Sequence, residues 1–423
     1  MNKKTSIRHT LSCADNTEPG LLSVEQAEQR IFDLIRPLHC PERVDIRHAL
    51  GRTLTADVHS TINVPSHTNS AMDGYAIHAA DIPADGTTQL TLAGTALAGK
   101  PFTGSVKPGQ CVRIMTGAKL PDDCDAVVMQ EQVEVEGDSI SIDARHRAGE
   151  NVRQAGEDLA LGQTAIPAGK CLQASDLGLL ASIGMGEVSV TRSLRVAFFS
   201  TGDELRPVGS RLAAGELYDS NRYTLHGMLQ CQDVELIDMG VIADKPDDLA
   251  AALRSAAQVA DVIITTGGVS VGDADYVKDV VAELGKVDFW KLAIKPGRPL
   301  AFGALGNALF FGLPGNPVAV MVTFYQFVQP ALRNLLGQKE LRPFRFQVAS
   351  AAAIRKRPGR TEYQRGRLDS AADGRLQVSL TGAQGSGILS SMSAANCFIV
   401  LAAEQGSVKP GDPVTVEPFH GLL

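Results

Sequence analysis

Between residues 193 and 337, short apolar runs alternate with amphipathic stretches, and no other feature limits the possible folds as strongly. "RVAFFS", "VELIDMGVI", "DVIITT" and "ALFFGLP" read as buried strands. "SNRYTLHGMLQ", capped by Ser220 or Asn221, "KPDDLAAALRSAAQVA", opened by Pro246, and "DADYVKDVVAEL" read as helices, and a long helix follows from Pro317. A strand continued by a helix of this length must cross over before the next strand pairs. The alternation therefore predicts a parallel, doubly wound α/β sheet. In such sheets ligands sit outside the carboxyl ends of the strands.

The flanks have a different texture. From about 22 to 40 the pattern is an amphipathic helix, with Ser23 as cap and Ala27, Ile31, Leu34 and Ile35 at helical spacing. From about 60 to 155, alternating runs such as "QLTLAG", "CVRIMTG" and "AVVMQEQVEVEGDSISI" are separated by Gly and Pro, which predicts a β-rich module. Residues 155–184 return to a turn and a helix capped by Ser175, so the β module reads as an insertion into a helical one. After residue 343, "FRFQVAS", "LQVSLTG", "CFIVLA" and "DPVTVEPF" read as a small all-β module.

Composition excludes several classes. A net charge of −7 with 5% aromatics gives neither the electrostatic footprint nor the stacking platform of a nucleic-acid binder. The seven cysteines show no CxxC spacing, so we expect reduced thiols in a cytoplasmic protein and no disulfide framework or structural zinc. Residues 1–20 carry two lysines but no apolar core, and we expect a disordered extension there, not a secretory signal. No apolar stretch reaches the length of a membrane span, so no membrane association is expected.

Three strand ends share one chemistry: "STGDEL" (200–205), "TTGGVSVGDAD" (265–275) and "LPGNPVAV" (313–320). Glycine lets the backbone approach an oxyanion closely, and a helix start points free N–H groups at it. In the third, Asn316 caps and Pro317 takes the first helical position. Neither a Walker loop nor a dinucleotide fingerprint is present. The positive charge lies in "WKLAIKPGRPLAFG", with Lys291, Lys295 and Arg298. Strand alternation predicts Lys291 and Lys295 on one face, and Lys291 amid Phe289, Trp290, Leu292 and Ile294 needs an anionic partner. Glu204, Asp273 and Asp275 repel a phosphate themselves but suit a divalent cation such as Mg²⁺, which takes carboxylate and phosphate oxygens together. Helix capping is the other reading of Asp273. Asp73 and Thr116 each precede a glycine, Arg153, Glu157 and Asp158 lie in "NVRQAGEDLALG", and all five read most simply as turns. "RKRPGRTEYQRGR" (355–367) reads as a solvated basic face or as an anion-binding lip.

"NSAMDGYA", "RIMTGA", "AVVMQE", "FFSTGDEL", "TTGGVSVGDADY", "FWKLAIKPGRP" and "GLPGNPV", in this order from about residue 21 onward, resemble the MoeA and gephyrin E-domain family of molybdopterin molybdenumtransferases. The resemblance implies a helical domain (21–60 and 156–192), an inserted β-rich domain (61–155), a MogA-like α/β domain (193–341) and a C-terminal β-barrel (342–423). It implies a homodimer whose cleft lies between the α/β domain of one subunit and the β-rich domain of the other. The implied activity is insertion of molybdenum from molybdate into adenylylated molybdopterin, with Mg²⁺-dependent cleavage of the pyrophosphate link and release of AMP. The alternatives are adenylylation of molybdopterin and a non-enzymatic scaffold. Carried over by motif, the catalytic positions are Asp73, Thr116, Asp158, Glu204, Asp244, Lys291 and Lys295. Substrate falls to Gly267, Gly268, Ser270, Asp275, Arg298, Pro314, Gly315, Asn316, Pro317, Arg365 and Ser386, and metal to Glu204, Asp275 and Asp73. Arg298 stands where many relatives have lysine, which keeps the charge and changes the hydrogen-bond geometry. The expected partners are adenylylated molybdopterin, molybdate, a second copy of the chain and other proteins of molybdenum-cofactor biosynthesis.

Overall fold

The computed structural model describes residues 20–268 and 276–419. The chain divides into two compact units, one made of Arg43–Leu50 and Leu54–Val190 and the other of the remaining described residues.

The first unit is built on a six-stranded sheet of β1 (Gly74–Ile77), β2 (Thr87–Ala96), β3 (Gln110–Ile114), β4 (Ala126–Met129), β5 (Glu134–Glu136) and β6 (Ser139–Asp143), in the order β4-β1-β3-β2-β6-β5. Only β2 and β3 run parallel. Successive side chains of a strand point to opposite faces, and here both faces are covered. Tyr75 and Ile77 enter one core with Val128 and Ile140, while Ala76 enters another with Val112, Ile114 and Val127. Gly74 opens β1 because nothing larger fits: a Cβ there would lie 2.0 Å from the Val128 carbonyl oxygen. A third core joins helix Ala174–Ser182 to Leu54, Val58, Val188 and Val190.

The second unit holds the α/β sheet. Its strands are β7 (Leu194–Thr201), β8 (Val234–Ile242), β9 (Val262–Thr266), β10 (Lys286–Lys291), β12 (Pro299–Leu305) and β13 (Ala308–Leu313), ordered β8-β7-β9-β13-β12-β10; the short β11 (Ile294–Lys295) belongs to another sheet. The first four are parallel and the last two antiparallel. Double winding is visible in β7 itself. Val196 and Phe198 pack with Leu225, Met228 and Leu229, whereas Ala197 and Phe199 pack with Leu249, Leu253, Val277 and Val281. A strand covered on both sides must be apolar there, and "VAFF" (196–199) is. Each Phe fully removed from water there contributes ~1.5–3 kcal/mol. The barrel strands are β14 (Phe346–Ser350), β15 (Thr361–Ser370), β16 (Leu376–Leu380), β17 (Cys397–Leu401) and β18 (Pro413–Pro418). They run β15-β16-β14-β18-β17, and β17 pairs back onto β15, so five strands close around Val348, Val378, Ile399, Val414 and Val416.

Three local expectations change. The amphipathic helix spans Val24–Leu34 and stops there because Pro37 keeps the preceding residue out of helical geometry. The long helix from Pro317 is interrupted: Pro317–Thr323 and Gln329–Leu335 flank a π-helical turn at Phe324–Val328. Pro330 has no N–H to continue the ladder. Lys291 and Lys295 do not share a strand face. Lys291 ends β10 opposite Pro299, at an exposed position, while Trp290 beside it is buried. The chain then changes sheets through Leu292 and Ala293, and Lys295 pairs in β11 with Glu362 of the barrel strand β15.

Candidate functional site

The carboxyl ends of β7, β9 and β13 bring the three glycine-bearing turns together. Thr201 ends β7, and an added Cβ on Gly267 would lie 2.7 Å from its carbonyl oxygen and 3.1 Å from its hydroxyl. Gly268 is confined in the same way, 2.3 Å from Val277 Cγ2. Both have positive φ (85° and 66°), which L side chains rarely adopt, so this turn requires glycine twice. The Gly267 amide donates to the Leu313 carbonyl, and Gly315 lies 4.0 Å from Gly267 by the same measure. Pro314 is buried, whereas Gly315 and Asn316 are exposed. Asn221 Nδ2 donates to the Gly315 carbonyl at 2.7 Å and holds that turn in place.

The acids stand at the same edge. Glu204 is exposed, and its carboxylate folds over Gly202, where a Cβ would meet Oε2 at 2.6 Å. Asp203 Oδ1 accepts the Asp244 amide at 3.2 Å, joining the turn after β7 to the turn after β8. Burial pushes the Asp244 carboxyl above its ordinary range; the Thr201 hydroxyl beside it pulls the other way, and the charges of Asp203 and Glu204 push it further up. Such a penalty on the charged form is absent at pH below the ordinary carboxylate range and fully present once the pH exceeds the raised value. Asp244→Asn is therefore expected to raise the melting temperature at neutral pH while lowering turnover, a trade seen where acids are crowded for function. Thermal unfolding at pH 7 and at pH 4 checks this: the gain belongs to pH 7, and a gain of equal size at both contradicts it.

Beneath the acids, Ser200 Oγ donates to Asp219 Oδ1 and lies 2.9 Å from Thr266 Oγ1. Asp219, not Ser220 or Asn221, caps helix Ser220–Gln230 by accepting the Arg222 amide, and Arg222 spans Asp219 and Asp238. Sequence reasoning passed over Thr201, Asp203, Asp219 and Asn221, although two of them lie within "STGDEL" itself.

The barrel reaches this edge through one loop. The Ser386 carbonyl accepts the Val318 amide at 3.0 Å, at the start of helix Pro317–Thr323. Arg365 is 1% exposed and donates to Ser391 Oγ, the Gly385 carbonyl and the Ala383 carbonyl at 3.0, 3.0 and 3.4 Å. It holds the loop that carries Ser386, and burial lowers its guanidinium to about 10. Lys295 Nζ lies 3.4 Å from Glu362 Oε1, and the Leu292 amide donates to the Arg298 carbonyl at 2.7 Å. Ser270, Asp273 and Asp275 lie outside the described residues. Among the described residues no group of three or more His, Cys, Asp or Glu could hold a metal ion.

Asp73 and Thr116 meet in the other unit. The register Gly74↔Ile114 puts the residues flanking β1 and β3 side by side. Asp73 Oδ1 accepts both the Thr116 amide and its hydroxyl, each at 2.7 Å, and Oδ2 has no hydrogen-bond partner among the described residues. These two donors hold the Asp73 carboxyl below the usual range. Its contribution to stability is thus present above the ordinary carboxylate pKa and lost as the pH falls through the lowered one. Thr116→Val keeps the amide and removes the hydroxyl, so the Asp73 pKa is expected to rise in a ¹³C NMR titration; an unmoved midpoint contradicts the assignment. Asp158 is exposed in the same unit, its amide on the Val64 carbonyl at 3.1 Å. Burial raises the thiols of Cys111, Cys124 and Cys397 to about 12, which leaves these three unreactive.

Three family models cover the chain: the MoeA N-terminal region (domains I and II) at residues 22–184, a probable molybdopterin binding domain at 197–334, and the MoeA C-terminal region (domain IV) at 347–419. The chain is 43% identical to the molybdopterin molybdenumtransferase of Haemophilus influenzae, over 95% of this chain and 100% of that one. It is 33% identical to gephyrin of Dictyostelium discoideum, over 88% of this chain and 58% of that one. The solved molybdopterin biosynthesis MoeA protein of Pyrococcus horikoshii superposes with a TM-score of 0.83 at 27% identity, covering 94% of this chain and all of that one. With its models matched in order and its fold matched over nearly its whole length, the chain belongs to the MoeA family.

Proposed function

We propose that this chain is a molybdopterin molybdenumtransferase: it takes adenylylated molybdopterin and molybdate, cleaves the pyrophosphate link, and releases AMP and molybdenum cofactor. The observation that carries the reading is the joint edge of β7, β8, β9 and β13, where the Glu204 and Asp244 carboxylates stand beside a turn that needs two consecutive left-handed glycines. Small turns admit phosphate oxygens, and Asp244, raised first by burial and then by the charges of Asp203 and Glu204, lies where a cation would be favoured. Mg²⁺ fits this donor set, because it binds through one or two carboxylates and completes its shell with water and phosphate oxygens. When bound, it would neutralise charge on the phosphates.

The residues of the chain then divide the work. Glu204, Asp275 and Asp73 are the carboxylates that would hold the cation. The turns at Gly267, Gly268 and Ser270 and at Pro314–Pro317 let phosphate and pterin approach the backbone closely, and Arg365 and Ser386 shape the loop against the second turn. Lys291, Lys295 and Arg298 attract molybdate and phosphate oxygens, which as like charges repel each other unless cations intervene. Thr116 orients Asp73 so that its free Oδ2 faces substrate, and Asp158 adds a second carboxylate in the same unit. The dithiolene sulfurs that receive molybdenum belong to the substrate, so the reaction asks no thiol of the chain. We place this chemistry in a cytoplasmic homodimer, with the β-rich domain of the second subunit completing the cleft, in contact with other proteins of the same biosynthesis; no helix among the described residues is long and apolar enough to cross a membrane.

Incubation with molybdopterin and ATP, and separately with adenylylated molybdopterin and molybdate, tests the reaction. Release of AMP in the second mixture alone is the expected result. Consumption of ATP in the first assigns the preceding adenylylation instead, and silence in both leaves a scaffold.

A further inference from the structure

The basic run 355–360 forms a pocket. Lys295, Arg355, Lys356, Arg357, Arg360, Glu362 and Ser407 line a cavity of about 560 Å³ in the unit that contains the barrel. Five of the seven are cationic and one is acidic. The acid is engaged: Glu362 meets Lys295 at 3.4 Å through Oε1 and accepts from Gln364 Nε2 at 2.8 Å through Oε2. Lys356 is engaged too. It is 6% exposed, and its ammonium donates to the carbonyls of Gln405, Arg357 and Ala403 at 3.0, 3.3 and 3.3 Å. Arg355, Arg357 and Arg360 are left. Their guanidinium groups have no hydrogen bond or ion pair among the described residues.

The loop that carries them is fixed at both ends. Ile354 bridges to Val408, the Gly359 amide donates to the Ala403 carbonyl at 2.6 Å, and the Thr361 amide donates to the Ala293 carbonyl at 2.9 Å. The buried Lys356 ammonium ties its middle to the turn at 403–405. A charge run on a solvated face has no reason to be pinned in this way, with like charges held around a common cavity against their mutual repulsion. Burial presses the Lys356 ammonium below its ordinary range; the charges of Glu362 and Glu404 pull it back, and those of Lys295 and Arg360 push it further down.

We propose that this pocket is a second ligand site, which binds a phosphate group or an equivalent tetrahedral dianion through Arg355, Arg357 and Arg360. The guanidinium fork matches two oxygens of such an anion at once. The lining contains no aromatic ring, so recognition rests on the oxyanion and not on a stacked base. The cavity lies within the size range of ordinary ligand sites and exceeds what one free oxyanion fills, which leaves room for the ester group of a phosphorylated ligand. None of the three arginines belongs to the machinery assigned above, with which the pocket shares Lys295.

Isothermal titration of the full chain with inorganic phosphate, molybdate and AMP, at fixed ionic strength, tests it. At least one of the three is expected to bind with one-to-one stoichiometry, and Arg357→Ser/Arg360→Ser is expected to weaken that binding tenfold or more, whereas Glu204→Gln leaves it unchanged. AMP binding more tightly than phosphate identifies a phosphate ester as the ligand, and molybdate binding most tightly identifies the free oxyanion. The double variant should unfold at the wild-type temperature, because the groups it removes are unpartnered; Arg355→Ser repeats the test if it does not. A wild type that binds none of the three, or arginine variants that bind as tightly as wild type, overturns the proposal. Loss of AMP release with intact phosphate binding counts against the proposed reaction and not against the pocket.

Discussion

Glu204→Gln is expected to lower AMP release from adenylylated molybdopterin by about 10²–10³-fold, the cost of removing one charged group aimed at the reacting phosphates. The substitution keeps the size of the side chain and removes only its charge. Glu204 is exposed and folds over Gly202, so no core contact is lost and the melting temperature is expected to hold. Activity and stability therefore separate, which distinguishes a group acting on substrate from one that supports the turn. Raising Mg²⁺ should restore part of the rate in the variant, because a weakened site fills at higher concentration. Undiminished AMP release refutes the role given to Glu204.

Arg365→Met carries the largest expected effect on stability. The side chain is 1% exposed, and its donors satisfy the Ser391 hydroxyl and the Gly385 and Ala383 carbonyls. Methionine fills similar space but donates nothing, and buried acceptors left without partners cost ~1–3 kcal/mol each. Burying the guanidinium has its own cost, visible in its lowered pKa, and relieving it offsets part of the loss. A net destabilisation of about 2–4 kcal/mol remains, read as a lower denaturant midpoint at unchanged slope. Activity should fall with it, because the loop held by Arg365 supplies the Ser386 carbonyl to Val318. Arg365→Lys keeps a donor and should recover part of both. An unchanged midpoint for Arg365→Met contradicts this account of the loop.

Much of the fold was legible because burial writes itself into local sequence. The inner strands β7, β9 and β13 of the α/β sheet are covered on both faces, so each contains an apolar run bounded by turn residues, as "VAFFS" and "VIITT" show. The turn at Gly267 and Gly268 was legible too: only close backbone approach or a left-handed conformation requires glycine, and here both do. What failed is what depends on long-range pairing. Lys291 and Lys295 are four residues apart and look like neighbours on one strand, yet the chain leaves one sheet and joins another between them. A period of two cannot report that switch. Asp73 and Thr116 lie 43 residues apart and meet only because β1 pairs with β3 in one register. Asp203 meets Asp244 across a similar gap because β7 and β8 are parallel neighbours. The basic run was ambiguous for a related reason: its charges are local, but the turn at 403–405 that closes the pocket is not.

The central claim is that carboxylates at the strand ends recruit a cation so that molybdate and a phosphate link can be brought together. Purified chain, freed of divalent metal, incubated with adenylylated molybdopterin and molybdate, and assayed for AMP with and without added Mg²⁺, tests it most directly. The account predicts AMP and active molybdenum cofactor only when Mg²⁺ and molybdate are both supplied. Equal AMP release in the metal-free mixture would contradict it.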